Sequence, residues 1–101
     1  MREVFEKTLV TADNIDEIRE AIPVLDQRAE IEVGRVISTW PIYYQPGNQR
    51  GQITVFHDTD RAAVCYGGYS EWGDWNDEEG IIILDDPNSY PYVDRRGVKF
   101  E

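Results

Sequence analysis

Two strand-like runs, GQITVFH at residues 51–57 and RAAVCYGG at 61–68, are separated only by Asp58-Thr59-Asp60. So short a connection forces the runs to pair antiparallel, because a parallel crossover needs about a dozen residues or more. The β-branched and aromatic content of both runs suits a pleated, half-buried surface. Alternation puts Ile53, Val55 and His57 on one face of the first run and Thr54 and Phe56 on the other.

The rest of the chain is organised around this hairpin. EVFEKTLV, residues 3–10, reads as a first strand, and TADNIDEIREAI, residues 11–22, as a helix. Asp13 or Thr11 can cap that helix, and Asp16 and Glu17 fall in its first turn, where negative charge suits the dipole. Ile15, Ile18, Ile22 and Leu25 give it one apolar face, and Pro23 ends or kinks it. EIEVGRVISTW, residues 30–40, is a strand with a bulge expected at Gly34, which Trp40-Pro41 closes or moves to a sheet edge. PGNQRG, residues 46–51, is a loop, IIIL, residues 81–84, a buried strand, DDPNS a turn, and Gly97–Glu101 a last short strand. The expected fold class is α+β: a twisted antiparallel sheet of about five strands with one N-terminal helix packed across it, in a single domain spanning residues 1–101.

Composition narrows the functional classes. With 41% apolar residues the chain can build one modest core, to which a partner or a homodimer can add stability. No apolar run approaches the ~20 residues of a membrane span, and Met1-Arg2-Glu3-Val4 lacks the apolar core of a signal peptide, so a cytoplasmic location is expected. Twenty acids against ten bases give a net charge of −10. Residues 1–50 carry nine acids and six bases, and residues 51–101 carry eleven and four, so the excess is concentrated in the second half. Such a field repels nucleic acid and anionic membranes and attracts basic surfaces.

Few residues offer chemistry. Cys65 is the only cysteine, which excludes an internal disulfide, and it reads as a small buried apolar residue. His57 is the only histidine, short of the donor set that a zinc site draws on. Across the hairpin Cys65 can approach His57, so a small Cys/His-dependent or metal-dependent enzyme around His57, Asp58 and Cys65 is an alternative reading. The acidic DWNDEE stretch lacks the ligand spacing of a calcium loop, and phosphate-binding, dinucleotide and nucleophile-elbow motifs are absent. Asp85-Asp86 reads as a pair of solvated turn acids. No cofactor, metal or catalytic residue is expected.

GGYSEWGDWNDEEG, residues 67–80, instead combines two tryptophans with five carboxylates and no base. Read as a loop with a helical turn, it places Trp72 and Trp75 on one face, with Glu71, Asp74, Asp77, Glu78 and Glu79 around them. The indoles either pack inward onto the sheet or stand outward as anchors in an acidic rim. Tyr66, Tyr69, Tyr90 and Tyr92 add amphipathic surface nearby in sequence. The outward geometry makes Glu71, Trp72, Asp74, Trp75, Asp77, Glu78 and Glu79 a partner-binding set for a basic protein surface.

The order strand–helix–strand–hairpin, with QITVFHDTDRAAVCY followed by a tryptophan-bearing segment, resembles small immunity proteins of bacterial polymorphic toxin systems. In size and acidity the chain is also similar to phage anti-defence inhibitors such as anti-CRISPR proteins. The resemblance covers mainly residues 52–75 and supplies no site residues; beyond IIIL the immunity family would carry a further helix. The overlap of tryptophans with carboxylates, together with the acidic field, makes the leading reading a non-enzymatic inhibitor that blocks a basic, nucleic-acid-handling effector or toxin, its carboxylates occupying the channel where phosphates would run, without binding nucleic acid or membrane itself. A structural or oligomeric protein of viral origin, or one adapted to high salt, is the third reading.

Overall fold

The computed structural model describes residues 7–22, 25–44, 49–66, 69–86, 92–94 and 97–99. These form β1 (Thr8–Leu9), α1 (Ile15–Ala21), α2 (Leu25–Glu30), β2 (Val36–Tyr44), β3 (Gln49–Phe56), β4 (Arg61–Tyr66), β5 (Tyr69–Asn76), β6 (Ile81–Leu84), β7 (Tyr92–Asp94) and β8 (Gly97–Lys99). The strands make one antiparallel meander in sequence order, β1 through β8. The α+β class holds. The described residues contain eight strands and two helices, where the sequence suggests about five and one, because the segment read as an aromatic loop is strand β5, β7 is only three residues long, and the helix divides in two.

The helix divides at the point Pro23 dictates. Ile22 has ψ 109°, the extended geometry favoured before proline, and a second short helix then starts at Leu25. Its new direction leaves Leu25 74% exposed, so Leu25 does not extend the apolar face of α1 as its spacing suggests. Arg28 donates to the Ile22 carbonyl and Arg19 to the Ile31 carbonyl, satisfying backbone acceptors around the break. Neither Asp13 nor Thr11 caps α1. Asn14 precedes the helix, and its side chain turns back to β1, accepting from Thr11 N (2.8 Å) and donating to the Leu9 carbonyl (3.0 Å). Asn14 thereby fills the outer hydrogen-bonding edge of the first strand.

Gly34 makes a turn rather than a bulge: its φ of 98° reverses the chain, and β2 begins two residues later. Strand β2 runs on through Pro41 to Tyr44, which it can do because β1 pairs only with Val36 and Ile37. Further along, the segment read as an aromatic loop is strand β5, paired with β4 on one side and β6 on the other. Beyond β6 the described residues continue as strands β7 and β8, not as a helix.

Alternation gives the sheet two apolar faces. One carries Trp40, Ile53, Val55, Ala62, Val64, Trp75, Ile82 and Leu84. The indoles of Trp40 and Trp75 meet edge-on with ring centroids 5.7 Å apart, although β2 and β5 are separated by two strands. In a flat sheet their backbones would be about 14 Å apart in the pairing direction alone, with parallel side chains that never touch. The contact therefore requires the sheet to curl with this face inside, and β8 returns to lie beside β2. The other face packs Ile37, Phe56 and Trp72 against Val10, Ile15, Ile18, Ile22 and Ile31, which is how α1 and its flanking segments sit across the sheet. Between them runs a polar seam. Gln52 donates to Thr39 Oγ1 (2.8 Å) and to the Ala21 carbonyl at the end of α1 (3.4 Å).

One glycine is set by close approach. A Cβ on Gly73 would overlap the Ile83 carbonyl oxygen and come within 2.8 Å of the Ile82 side chain, so β6 can pack against β5 only because nothing projects there.

Candidate functional site

The turns β3–β4 (residues 57–60) and β5–β6 (residues 77–80) lie at the same end of the sheet, as antiparallel order requires. They are joined through the backbone: Trp75 N donates to the Asp60 carbonyl at 2.8 Å. Asp60 takes a left-handed φ of 55°, which aspartate tolerates better than most residues. In the second turn Gly80 N donates to the Asn76 carbonyl and Glu79 N to Asn76 Oδ1, with Gly80 at φ 70°.

Between these turns and the neighbouring strands is an open depression of about 430 Å³ lined by Asp60, Asp74, Trp75, Asn76, Asp77, Glu78 and Ile83. Four of the seven lining residues are carboxylates, and Ile83, 54% exposed, supplies an apolar wall. Of the residues singled out in the sequence, Asp74, Asp77 and Glu78 come together here, and Glu79 is exposed in the same turn. Glu71 does not join them, because it pairs with Val64, back along β5 from the turn. Asp60 is the member the sequence reading missed: it is distant in sequence, and only the antiparallel register brings its turn alongside.

The tryptophans require a correction. Three residues apart on a strand, they project from opposite faces instead of sharing one. Trp75 is 4% exposed, in the core with Trp40, and only lines the depression. Trp72 is half-buried, stacked on Phe56 with centroids 5.6 Å apart, against the helix-side core. They brace the two faces and do not form a shared outward anchor. Tyr90 lies outside the described residues, and for Tyr66, Tyr69 and Tyr92 only the backbone is described.

Several acids are held in place by cations. Arg61 reaches Asp74 (2.9 Å) and grips Asp85 through both terminal nitrogens (2.9 and 2.7 Å). That pairing raises the Arg61 pKa and lowers that of Asp85. The Asp77 carboxyl is held below the usual carboxylate range, first by the Trp75 indole N–H (3.1 Å) and then by the charges of Lys7 and His57. Arg35 bridges Glu30 and Asp58 and lies over the Phe56 ring. Asp60, Glu78 and Glu79 have no ion-pair partner among the described residues.

The proposed Cys65–His57 approach is not formed. Cys65 pairs with Gln52, at the far end of the hairpin from His57 and on the opposite face, and burial pushes its thiol pKa up. His57 instead meets Ser38, with Nε2 2.7 Å from Oγ, and faces Asp77 with Nδ1 3.7 Å from Oδ1. Serine, imidazole and carboxylate stand in the order of a hydrolytic triad. An attacking hydroxyl must reach substrate, however, and Ser38 is 3% exposed. Among the described residues no three His, Cys, Asp or Glu side chains converge as a metal site, and no helix is long and apolar enough to cross a membrane.

The fold and this end of the sheet define a small α+β antiparallel meander with an acidic, partly apolar depression between two turns. No protein-family model, curated protein or solved structure matches the chain.

Proposed function

We propose that this protein is a non-enzymatic acidic inhibitor that docks its turn end onto a basic surface of a nucleic-acid-handling protein, in the manner of an anti-defence or toxin-immunity protein. The observation that carries the reading is the convergence of Asp60, Asp74, Asp77 and Glu78 around the exposed Ile83. A lysine or arginine side chain matches that chemistry, since its methylene stem lies against apolar surface while its charged head meets carboxylates. Lys7, Arg35 and Arg61 are paired with carboxylates, and Arg19 and Arg28 donate to carbonyls beside the helices. The tryptophans now act indirectly, Trp75 by orienting Asp77 and both by stiffening β5.

The test is affinity capture from the native host at low salt, followed by association kinetics with the captured protein. The variant Asp60→Asn/Glu78→Lys/Glu79→Lys leaves every described ion pair intact. It should slow association by about tenfold or more at low salt, with a smaller effect on dissociation. An unchanged association rate removes the electrostatic docking surface.

A reading as a protein adapted to high salt also has an observation in its favour. Asp13, Asp16, Glu17, Glu20, Asp26, Glu30 and Glu32 are exposed around the two helices, so acid is not confined to the turn end.

A further inference from the structure

His57 is the only histidine of the chain, and it sits where three elements meet. Strand β2 presents Ser38 to Nε2 at 2.7 Å, and the β5–β6 turn presents Asp77 to Nδ1 at 3.7 Å. The backbone fixes the ring's base, because His57 N donates to the Val36 carbonyl at 2.8 Å. The imidazole side chain is 11% exposed, so its charge state is felt strongly by these neighbours. We propose that His57 is a proton-operated latch that ties the Asp77–Gly80 turn to the body of the sheet.

The chemistry follows from the donors available. In the neutral ring the Ser38 hydroxyl donates to Nε2, and Nδ1–H is directed at a carboxylate beyond hydrogen-bond range. In the cation Nε2–H donates to Ser38 Oγ, and the full charge faces Asp77. The carboxylate is ready for it. The Trp75 indole N–H holds the same Oδ1 at 3.1 Å, and Asp77 stays ionised. The charged groups on the surrounding described elements include Lys7, 3.5 Å from Asp77 Oδ2, Asp58 and Asp60 in the ring's own turn, Arg35, which engages Asp58 at 3.3 Å, and Glu78 and Glu79 beside Asp77. Burial and Lys7 oppose protonation, whereas Asp77, 3.7 Å from Nδ1, favours it. In the protonated ring the attraction to Asp77 adds to the Ser38 hydrogen bond, and it is lost when the ring gives up its proton.

Asp77 also lines the acidic depression, so protonating His57 places a cation behind it and weakens docking of a basic partner as pH falls. That consequence rests on the function proposed above; the latch does not.

A single histidine makes the test direct. The ring signals of the full-length chain, followed by NMR against pH, report His57 alone. Compared with the wild type, Asp77→Asn should bind the proton about threefold or more weakly, and Lys7→Gln should bind it more tightly. Hydrogen exchange of the Glu78, Glu79 and Gly80 amides, corrected for the intrinsic rate, should show greater protection at about pH 5 than at about pH 9 in the wild type, and no such difference in Asp77→Asn. Equal pKa values in the wild type and Asp77→Asn, or turn protection independent of pH, overturns the latch. No partner enters the experiment, so its failure leaves the docking reading standing, and failure of docking leaves the latch standing.

Discussion

A tryptophan in an acidic segment reads as exposed or buried according to a single bit of information, the local period. On a helical turn Trp72 and Trp75 share a face; on β5 they divide between the two cores. The acids favoured an exposed reading because they dominate the composition, yet a strand disposes of them by alternation and by its turn, leaving the indoles inside. A quieter residue carries the opposite lesson. Gln27 in α2 is fully buried, and neither polar atom of its amide has a hydrogen-bond partner among the described residues. An unsatisfied buried amide costs about 1–3 kcal/mol. Gln27→Met keeps a similar length and flexibility without the polar atoms, and should raise stability by about 1 kcal/mol, read as a higher urea midpoint at unchanged slope. A lower midpoint would mean that the amide has a partner in solution.

At the scale of elements, the hairpin was the most legible part. Its two runs, its turn and the division of Ile53 and Val55 from Thr54 and Phe56 all follow from alternation, and the pairing of Phe56 with Arg61 completes them. The α1 boundary at Ile22 was legible too, because proline acts locally on the residue before it. What escaped were features set by tertiary partners. Leu25 keeps the helical spacing but lies beyond the break, so its exposure depends on where α2 turns. Asp60 joins the acidic depression through register, and Ser38 meets His57 across paired strands; neither leaves a mark in a one-dimensional pattern. Asn14 is a similar case, since a helix-start residue serves the strand before it. Asn14→Ala removes both bonds to Thr11 and Leu9 and should cost about 1–2 kcal/mol, with amide exchange accelerating first at Thr11. If Asn14 acts only as a helix cap, the α1 amides will respond and Thr11 will not.

For the whole molecule, the net charge of −10 has opposite consequences for folding and for docking, and salt separates them. Self-repulsion among exposed acids around the helices and at the turn end works against the compact state. The described ion pairs are largely at the surface, with Asp74 76% and Glu30 53% exposed, so their attraction is small and is itself screened. Repulsion over the whole surface outweighs those few pairs, and raising ionic strength from about 10 mM to about 1 M shortens the screening length from ~30 to ~3 Å. The thermal midpoint should therefore rise with sodium chloride across this range. Docking to a basic surface depends on the same field as an attraction, so its association rate should fall over the same interval. A salt-adapted protein without a basic partner gives the first trend alone, and the trend continues into molar salt. Measuring both trends on one preparation, with the charge-reversed variant alongside, decides between the two roles: in that variant the association rate depends less steeply on salt, while the rise in thermal midpoint is reduced but keeps its sign, because the acids around α1 and α2 remain.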